Sequence, residues 1–267
     1  MINISIVLYH HQWSHISSLV TALKGVSGIN TIYLIDNSPA PCYEFNDKGV
    51  QYIFTGSNRG YGAGHNIALR KSLRQEVPYH LVVNPDIEMK AEDLNELIQF
   101  MESHPDTGQL MPKILYPDGS LQYLCKLLPT PTDLFIRRFL PASVTRKRMY
   151  RFEMQQTGYQ SVMEVPYLSG CFMLLRTSAL KEVGLFDERF FMYPEDIDIT
   201  RRMHQRYKTL FYPQVSVIHH HEQSSYSSLK MLLIHLVNLM RYFNKWGWVF
   251  DPERKKVNQR IIQLNQL

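Results

Sequence analysis

The chain has 267 residues, 45% of them hydrophobic and 20% charged, and a formal net charge of +5. That length and balance suit one large α/β domain with a short extension, and they exclude a disordered, repetitive or low-complexity chain. Cys42, Cys125 and Cys171 lie far apart with no C-x-x-C pair, which argues against a zinc knuckle or a disulfide framework and fits reduced thiols in a cytoplasm.

The first residues carry no basic leader, and their apolar run is too short for a signal peptide, so residues 4–8 read as a first core strand. A helix near 16–23 follows, then strands over 31–35 and 52–54. After a glycine-rich turn, 66–73 reads as helix and 79–83 as a buried strand. Residues 91–101 place Leu94, Leu97, Ile98 and Met101 at helical spacing. This alternation predicts an α/β fold with a mostly parallel sheet and crossover helices. In the second half, 109–116 is apolar and 117–120 is a turn. Residues 125–160 are basic, contain prolines and are weakly patterned, as an insertion near the cleft would be. A strand over 171–175, a helix over 178–183, a helix over 196–207 and two strands, 209–212 and 215–219, complete the domain.

From Leu229 onward, Leu229, Leu232, Leu233, Leu236, Met240 and Phe243 share one helical face, and Lys230, Asn238, Arg241 and Lys245 share the other. This amphipathic helix either packs on its own domain or lies at a membrane interface with Trp246 and Trp248 at its end. No segment reaches the roughly 18 uninterrupted apolar residues of a membrane span. Arg137, Arg138, Arg146, Lys147, Arg148 and Arg151 cluster in one region, either as a solvated face or as a patch that attracts phosphates. No helix-turn-helix, zinc or RNA-recognition pattern accompanies them, so nucleic acid is not expected as a partner.

Several short motifs carry candidate chemistry. Asp36, in Ile35-Asp36-Asn37-Ser38, offers a carboxylate at a strand end. The run from Gly56 to Asn66 is dense in glycine and opens a helix, as a loop approaching phosphates does, although His65 stands where a dinucleotide fingerprint needs glycine. Asn84-Pro85-Asp86 follows a buried strand, where open α/β sheets bind ligands. Glu195 and Asp196 open a later helix and are either first-turn acids or site carboxylates. Of His219, His220 and His221, neighbours on a strand face opposite ways, so at most one or two can hold one ion.

Taken together, these motifs and their order resemble the inverting nucleotide-sugar glycosyltransferases of family two, with the GT-A fold, over residues 2–225. The anchors are Asp36-Asn37-Ser38, the run from Asn58 to Asn66, Asn84-Pro85-Asp86, Ser169-Gly170-Cys171, the run from Gly184 to Tyr193, Glu195-Asp196-Ile197-Asp198 and His219. Within the family, the Gly60 to Asn66 run and Asn84-Pro85-Asp86-Ile87 look most like bacterial rhamnosyltransferases of surface-polysaccharide assembly. The resemblance implies a nucleotide-binding sheet in a domain over 1–225, with a C-terminal amphipathic helix and tail over 226–267. It implies transfer from a nucleoside-diphosphate sugar, such as dTDP-rhamnose, to a lipid-linked saccharide at the inner face of the cytoplasmic membrane. Asp36, Arg59, Gly60, Gly64, Asn66 and Asn84 would line the nucleotide site, and Asp86 and His219 would hold Mg²⁺ or Mn²⁺. Asp196 would be the general base, with Glu195 orienting the acceptor. Asn84 stands where many relatives have aspartate, and Pro194 where glycine commonly precedes the acidic pair. The alternatives are an inactive scaffold, a sugar-binding module or a sugar-nucleotidyltransferase; the last lacks its glycine-rich activation loop, because Tyr9-His10-His11-Gln12 occupies that place.

Overall fold

The computed structural model describes residues 1–46, 48–220 and 229–265. The chain opens with β1 (Ile2–Leu8), α1 (Trp13–Lys24), β2 (Ile29–Asp36), β3 (Gln51–Phe54), α2 (Tyr61–Arg74), β4 (Tyr79–Val83), β5 (Ile87–Glu88), α3 (Ala91–Ser103) and β6 (Thr107–Leu115). It continues through β7 (Cys125–Lys126), α4 (Pro131–Phe139), α5 (Ala142–Phe152), β8 (Met163–Glu164), β9 (Tyr167–Leu168), β10 (Phe172–Arg176) and α6 (Thr177–Val183). The last elements are α7 (Glu195–His204), β11 (Lys208–His219), α8 (Leu229–Trp246) and α9 (Pro252–Leu264).

Among the described residues, nine strands form one sheet in the order β3-β2-β1-β4-β10-β6-β11-β5, with β8 on β11. Strands β3, β2, β1 and β4 are parallel, as are β6 and β11, whereas β10 runs antiparallel between β4 and β6. All five residues of β4 are buried, as a strand covered by helices on both faces requires. In β1, Ile2, Ile4, Ile6 and Leu8 fill one face, and Asn3 and Ser5 on the other enter a buried hydrogen-bond chain with Ser72, His65 and His80. Ile16, Leu19, Val20 and Leu23 of α1 and Leu94, Leu97 and Met101 of α3 cover the sheet.

Three expectations change. Helix α2 begins at Tyr61, not near residue 66, and takes the glycines into its first turns. A Cβ at Gly62 would stand 2.8 Å from the Phe186 side chain, and one at Gly64 would stand 2.8 Å from Val7. The segment over 125–160 is largely helical: Pro131 opens α4 and Pro141 caps α5, so the prolines start helices there rather than break them. The two expected last strands are one strand, β11, whose register on β6 shifts between Tyr212 and Ser216. Pro213 has no N–H to give to the ladder, which confines the break to a bulge.

The C-terminal helices are fastened to the domain by polar anchors. Arg201 of α7, 2% exposed, makes a two-pronged pair with Asp251 at 2.7 and 2.8 Å and stacks on Trp246 at 4.0 Å. Asn258 of α9 exchanges two 2.9 Å hydrogen bonds with the backbone of Leu128. In α8, residues assigned from sequence to the outward polar face turn inward instead: Asn238 donates to the Met192 carbonyl, Arg241 to that of Arg189, and Lys245 pairs with Asp187 and Asp198. Leu233, Val237 and Met240 are left exposed. The backbone carbonyls of the preceding loop need donors, and that requirement outweighs apolar periodicity here. The expected boundary at 225–226 falls outside the described residues.

Candidate active site

The carboxyl ends of β1, β2 and β4 and the amino end of β10 meet at one sheet edge. Phe172 pairs with Val83, and the Asn84 N–H donates to the Cys171 carbonyl at 2.9 Å. Strand β11 ends there too, with His219 opposite Ile87. Asn84, Asp86 and His219 are thus brought together: His219 Nε2 lies 3.3 Å from Asp86 Oδ1 and 3.5 Å from Asn84 Nδ2.

Gln122 sets the tautomer of His219. Its amide NH₂ donates to the His219 and Leu115 carbonyls, so its Oε1 is the acceptor and takes the His219 Nδ1–H at 3.0 Å. Nε2 is then an acceptor facing a carboxylate oxygen, and two lone pairs at that distance repel unless a proton or a cation lies between them. One carboxylate and one such imidazole make a donor set that fits Mg²⁺ or Mn²⁺ with phosphate oxygens and water completing the shell. Among the described residues, no cluster of three His, Cys, Asp or Glu could hold a metal ion.

The second acidic group is joined to the first through Tyr61. Its hydroxyl donates to the Gly170 carbonyl at 2.6 Å and stands 3.1 Å from Asn84 Oδ1, while the Gly170 N–H donates to Asp196 Oδ2 at 3.1 Å. Asp196 also takes the Ile197 N–H at 2.8 Å. Burial pushes its carboxyl up to about 6, against the opposing pull of the Lys126 ammonium. Glu195 is 4% exposed, and burial together with the neighbouring Asp196 carboxylate raises its pKa well above the ordinary value. Its Oε2 has no hydrogen-bond partner. Pro194 caps α7, and the positive φ falls on Tyr193 at 87°, a bulky residue in a region that favours glycine. The Tyr193 ring packs edge-on to His235 of α8 at 4.5 Å.

The nucleotide-side residues are placed differently from one another. Asp36 ends β2, accepting from the Ser38 N–H at 2.9 Å and the Tyr52 hydroxyl at 2.6 Å. Arg59 is exposed beside the helix start. Gly60 has φ 87°, and a Cβ there would stand 2.1 Å from the Phe191 carbonyl oxygen, so glycine is needed for the close approach of that loop. Gly64 packs on Val7, and Asn66 is buried, clamping the Phe186 N–H and carbonyl and the Glu188 carboxylate. Gly64 and Asn66 therefore have packing roles rather than faces open to the cleft.

Sequence reasoning missed Gln122, Lys126, Tyr61 as the bridge, and His11, whose ring feels both Asp36 and Asp86. Lys126 lies 2% exposed on β7. A lysine inside an otherwise apolar Cys125 to Leu128 run was the one signal that pointed to it.

A family model for Glycosyl transferase family 2 matches residues 32–184. The chain belongs to glycosyl transferase family 2. The matched stretch takes in Asp36, Asn84 and Asp86 and ends before Glu195. The chain is 30% identical, over 66% of its length, to N-acetylglucosaminyl-diphospho-decaprenol L-rhamnosyltransferase of Mycobacterium tuberculosis H37Rv, and the match spans 60% of that relative. It is 29% identical to rhamnosyltransferase WbbL of Escherichia coli K12, over 91% of this chain and 92% of that one. In fold it is similar to GalNAc-T7 solved with UDP, GalNAc and Mn²⁺, at TM-score 0.62 and 13% identity over 99% of this chain and 54% of that one. S. aureus TarS 1–349 with UDP gives TM-score 0.56 at 14% identity, over 91% and 72%. At such identities these structures bear on the fold, which is GT-A-like.

Proposed function

We propose that this family 2 protein is an inverting glycosyltransferase that moves rhamnose, or another deoxyhexose, from a nucleoside-diphosphate sugar to a lipid-linked saccharide in O-antigen or capsule-type polysaccharide synthesis. dTDP-rhamnose is the first donor to test, since two relatives carry rhamnosyltransferase names. The observation that carries the reading is the chain Asp86/His219–Asn84–Tyr61–Gly170–Asp196, which puts a pair suited to a divalent cation and a raised carboxylate on one sheet edge.

Asp86 and His219 would hold the divalent cation, which when bound offsets the charge growing on the departing nucleoside diphosphate. Arg59 and Asp36 would contact the nucleotide. Asp196 takes the proton from the acceptor hydroxyl as it attacks the anomeric carbon from the face opposite the diphosphate, a contribution on the order of 10² to 10⁴ in rate. Glu195, buried beside Asp196 at the start of α7, would orient the acceptor. Lys126 keeps Asp196 ionisable despite burial. No described helix is long and apolar enough to cross a membrane, and a peripheral position on the cytoplasmic face of the membrane is part of the proposal.

The test is nucleoside-diphosphate release from a panel of nucleotide sugars, with N-acetylglucosaminyl-diphospho-decaprenol as acceptor and Mg²⁺ or Mn²⁺ present. Turnover confined to dTDP-rhamnose or a related deoxyhexose donor, with inverted anomeric configuration in the product, is the expected result. Absence of turnover with every donor, with and without metal, overturns the reading.

A further inference from the structure

Between α4 and α8 lies a cavity of about 660 Å³, within the range of about 300–1,000 Å³ common for small-molecule sites. Its walls are Pro131, Leu134 and Phe135 on one side and Leu236, Leu239 and Phe243 on the other. Leu233, Val237 and Met240 also line it and are exposed, because α8 docks through Asn238, Arg241 and Lys245 and turns this apolar stripe away from the domain. Leu134 and Phe243 belong to the core, whereas Phe135, Leu233, Val237 and Met240 are exposed, an apolar surface of the kind that marks an interaction site.

We propose that this groove holds the isoprenoid chain of the lipid-linked acceptor, an inference that rests on the acceptor class of the preceding section. Two observations choose this occupant. The first is charge: residues 131–152, which make α4 and α5, contain six basic residues and one acidic residue, a net charge of +5 on the helix that builds one wall and the helix packed on it. Helix α5 packs on α4 and leaves Arg146 and Lys147 exposed. An apolar trough flanked by cations complements a hydrocarbon chain that ends in a diphosphate. The second is position. His235 lines the groove and packs on Tyr193, two residues before Glu195, and Asn238 of the same helix holds the Met192 carbonyl. A chain lying in the groove therefore runs toward the loop that carries the base, which is where the sugar at its diphosphate end must arrive.

The experiment compares N-acetylglucosaminyl-diphospho-decaprenol with an analogue bearing a two-isoprene tail, in detergent, for the wild type and for Leu233→Gln/Val237→Gln, whose side chains are exposed in the fold. The wild type should show a KM at least roughly tenfold lower for the long acceptor, since each buried CH₂ is worth about a fourfold factor. The variant should lose that preference while keeping donor hydrolysis and transfer to the short acceptor. Binding gives a readout independent of turnover: Trp248 lines the groove, so decaprenyl diphosphate should change the emission of wild-type protein but not of Trp248→Phe. Equal KM for both acceptors in the wild type, with transfer intact, overturns the groove and leaves the glycosyltransferase reading standing. So does a variant that loses both acceptors equally. An effect seen only with phosphatidylglycerol vesicles that carry no acceptor would assign the face to the bilayer. A wild type of twice the variant's mass in solution would assign it to a second copy. Either result also overturns the proposal.

Discussion

At the scale of single residues, the division of labour between Asp86 and Asp196 is open to direct test. Asp196→Asn keeps one acceptor oxygen for the Gly170 and Ile197 N–H groups, which Asp196 satisfies with two, and cannot take a proton, so transfer should fall by roughly 10² to 10⁴ while nucleotide binding persists. Because Asp196 must be ionised to act and burial holds it near 6, kcat/KM should rise with pH through about 6 and fall away below it. Lys126→Met removes the cation that opposes burial, so the same limb should move to higher pH, which a pH–rate profile reads directly. Gln122 gives a third test, because it touches neither substrate nor cation. Gln122→Leu frees the His219 ring to adopt the other tautomer, and metal affinity in the presence of nucleoside diphosphate should weaken by about 10- to 100-fold. Unchanged metal titration would remove Gln122 from the site. The acids and His219 could be read from sequence because their residue types are scarce in apolar runs and fall at strand ends. Gln122 was not legible, and Lys126 only as a lysine in an apolar run, since what places both at the site is the meeting of β7, β11 and the turn after β6, a tertiary fact.

At the scale of elements, helix α7, which carries Glu195 and Asp196, is held from behind. Asp198 is fully buried and accepts from Arg202 at 2.9 Å, Lys245 at 2.6 Å and Trp246 Nε1 at 2.8 Å, which ties α7 to α8. The test of this tie is Asp198→Asn. With these contacts it leaves two cations beside a neutral amide in a buried place, and the expected cost is about 3–5 kcal/mol, measurable by denaturant unfolding. Lys245→Met should be milder, because Lys245 is more exposed and Asp198 keeps Arg202. The alternation of β1 to α3 was legible in the sequence because each strand is a continuous apolar run and each helix repeats its apolar residues at helical spacing. Helix α8 was legible as a helix but not in orientation. Hydrophobic periodicity reports which face is apolar, whereas docking is decided by which partners the carbonyls of Arg189 and Met192 find.

At the scale of the whole molecule, the C-terminal helices are part of the domain's stability. From sequence, removing everything after Tyr226 reads as the loss of a membrane-binding extension, a clean test of location. In the structure that cut would strip Asp251 and Glu253 from Arg201 and Lys245 and Trp246 from Asp198, and it would remove Tyr242, Phe243 and Ile261 from the core. The truncated chain should therefore lose its folding transition altogether, and its vesicle binding would report unfolding. Point changes separate the two effects. Asp251→Ala leaves the Arg201 guanidinium buried with only Glu253 for a partner, at a cost of about 3–5 kcal/mol and a fall in Tm on the order of 10 °C. Replacing both partners, as in Arg201→Met/Asp251→Leu, removes the uncompensated charge along with the pair, so much of that loss should be recovered. If the double variant is as unstable as Asp251→Ala alone, the pair is not what fastens α9 to α7, and the stacking of Arg201 on Trp246 at 4.0 Å carries the attachment instead.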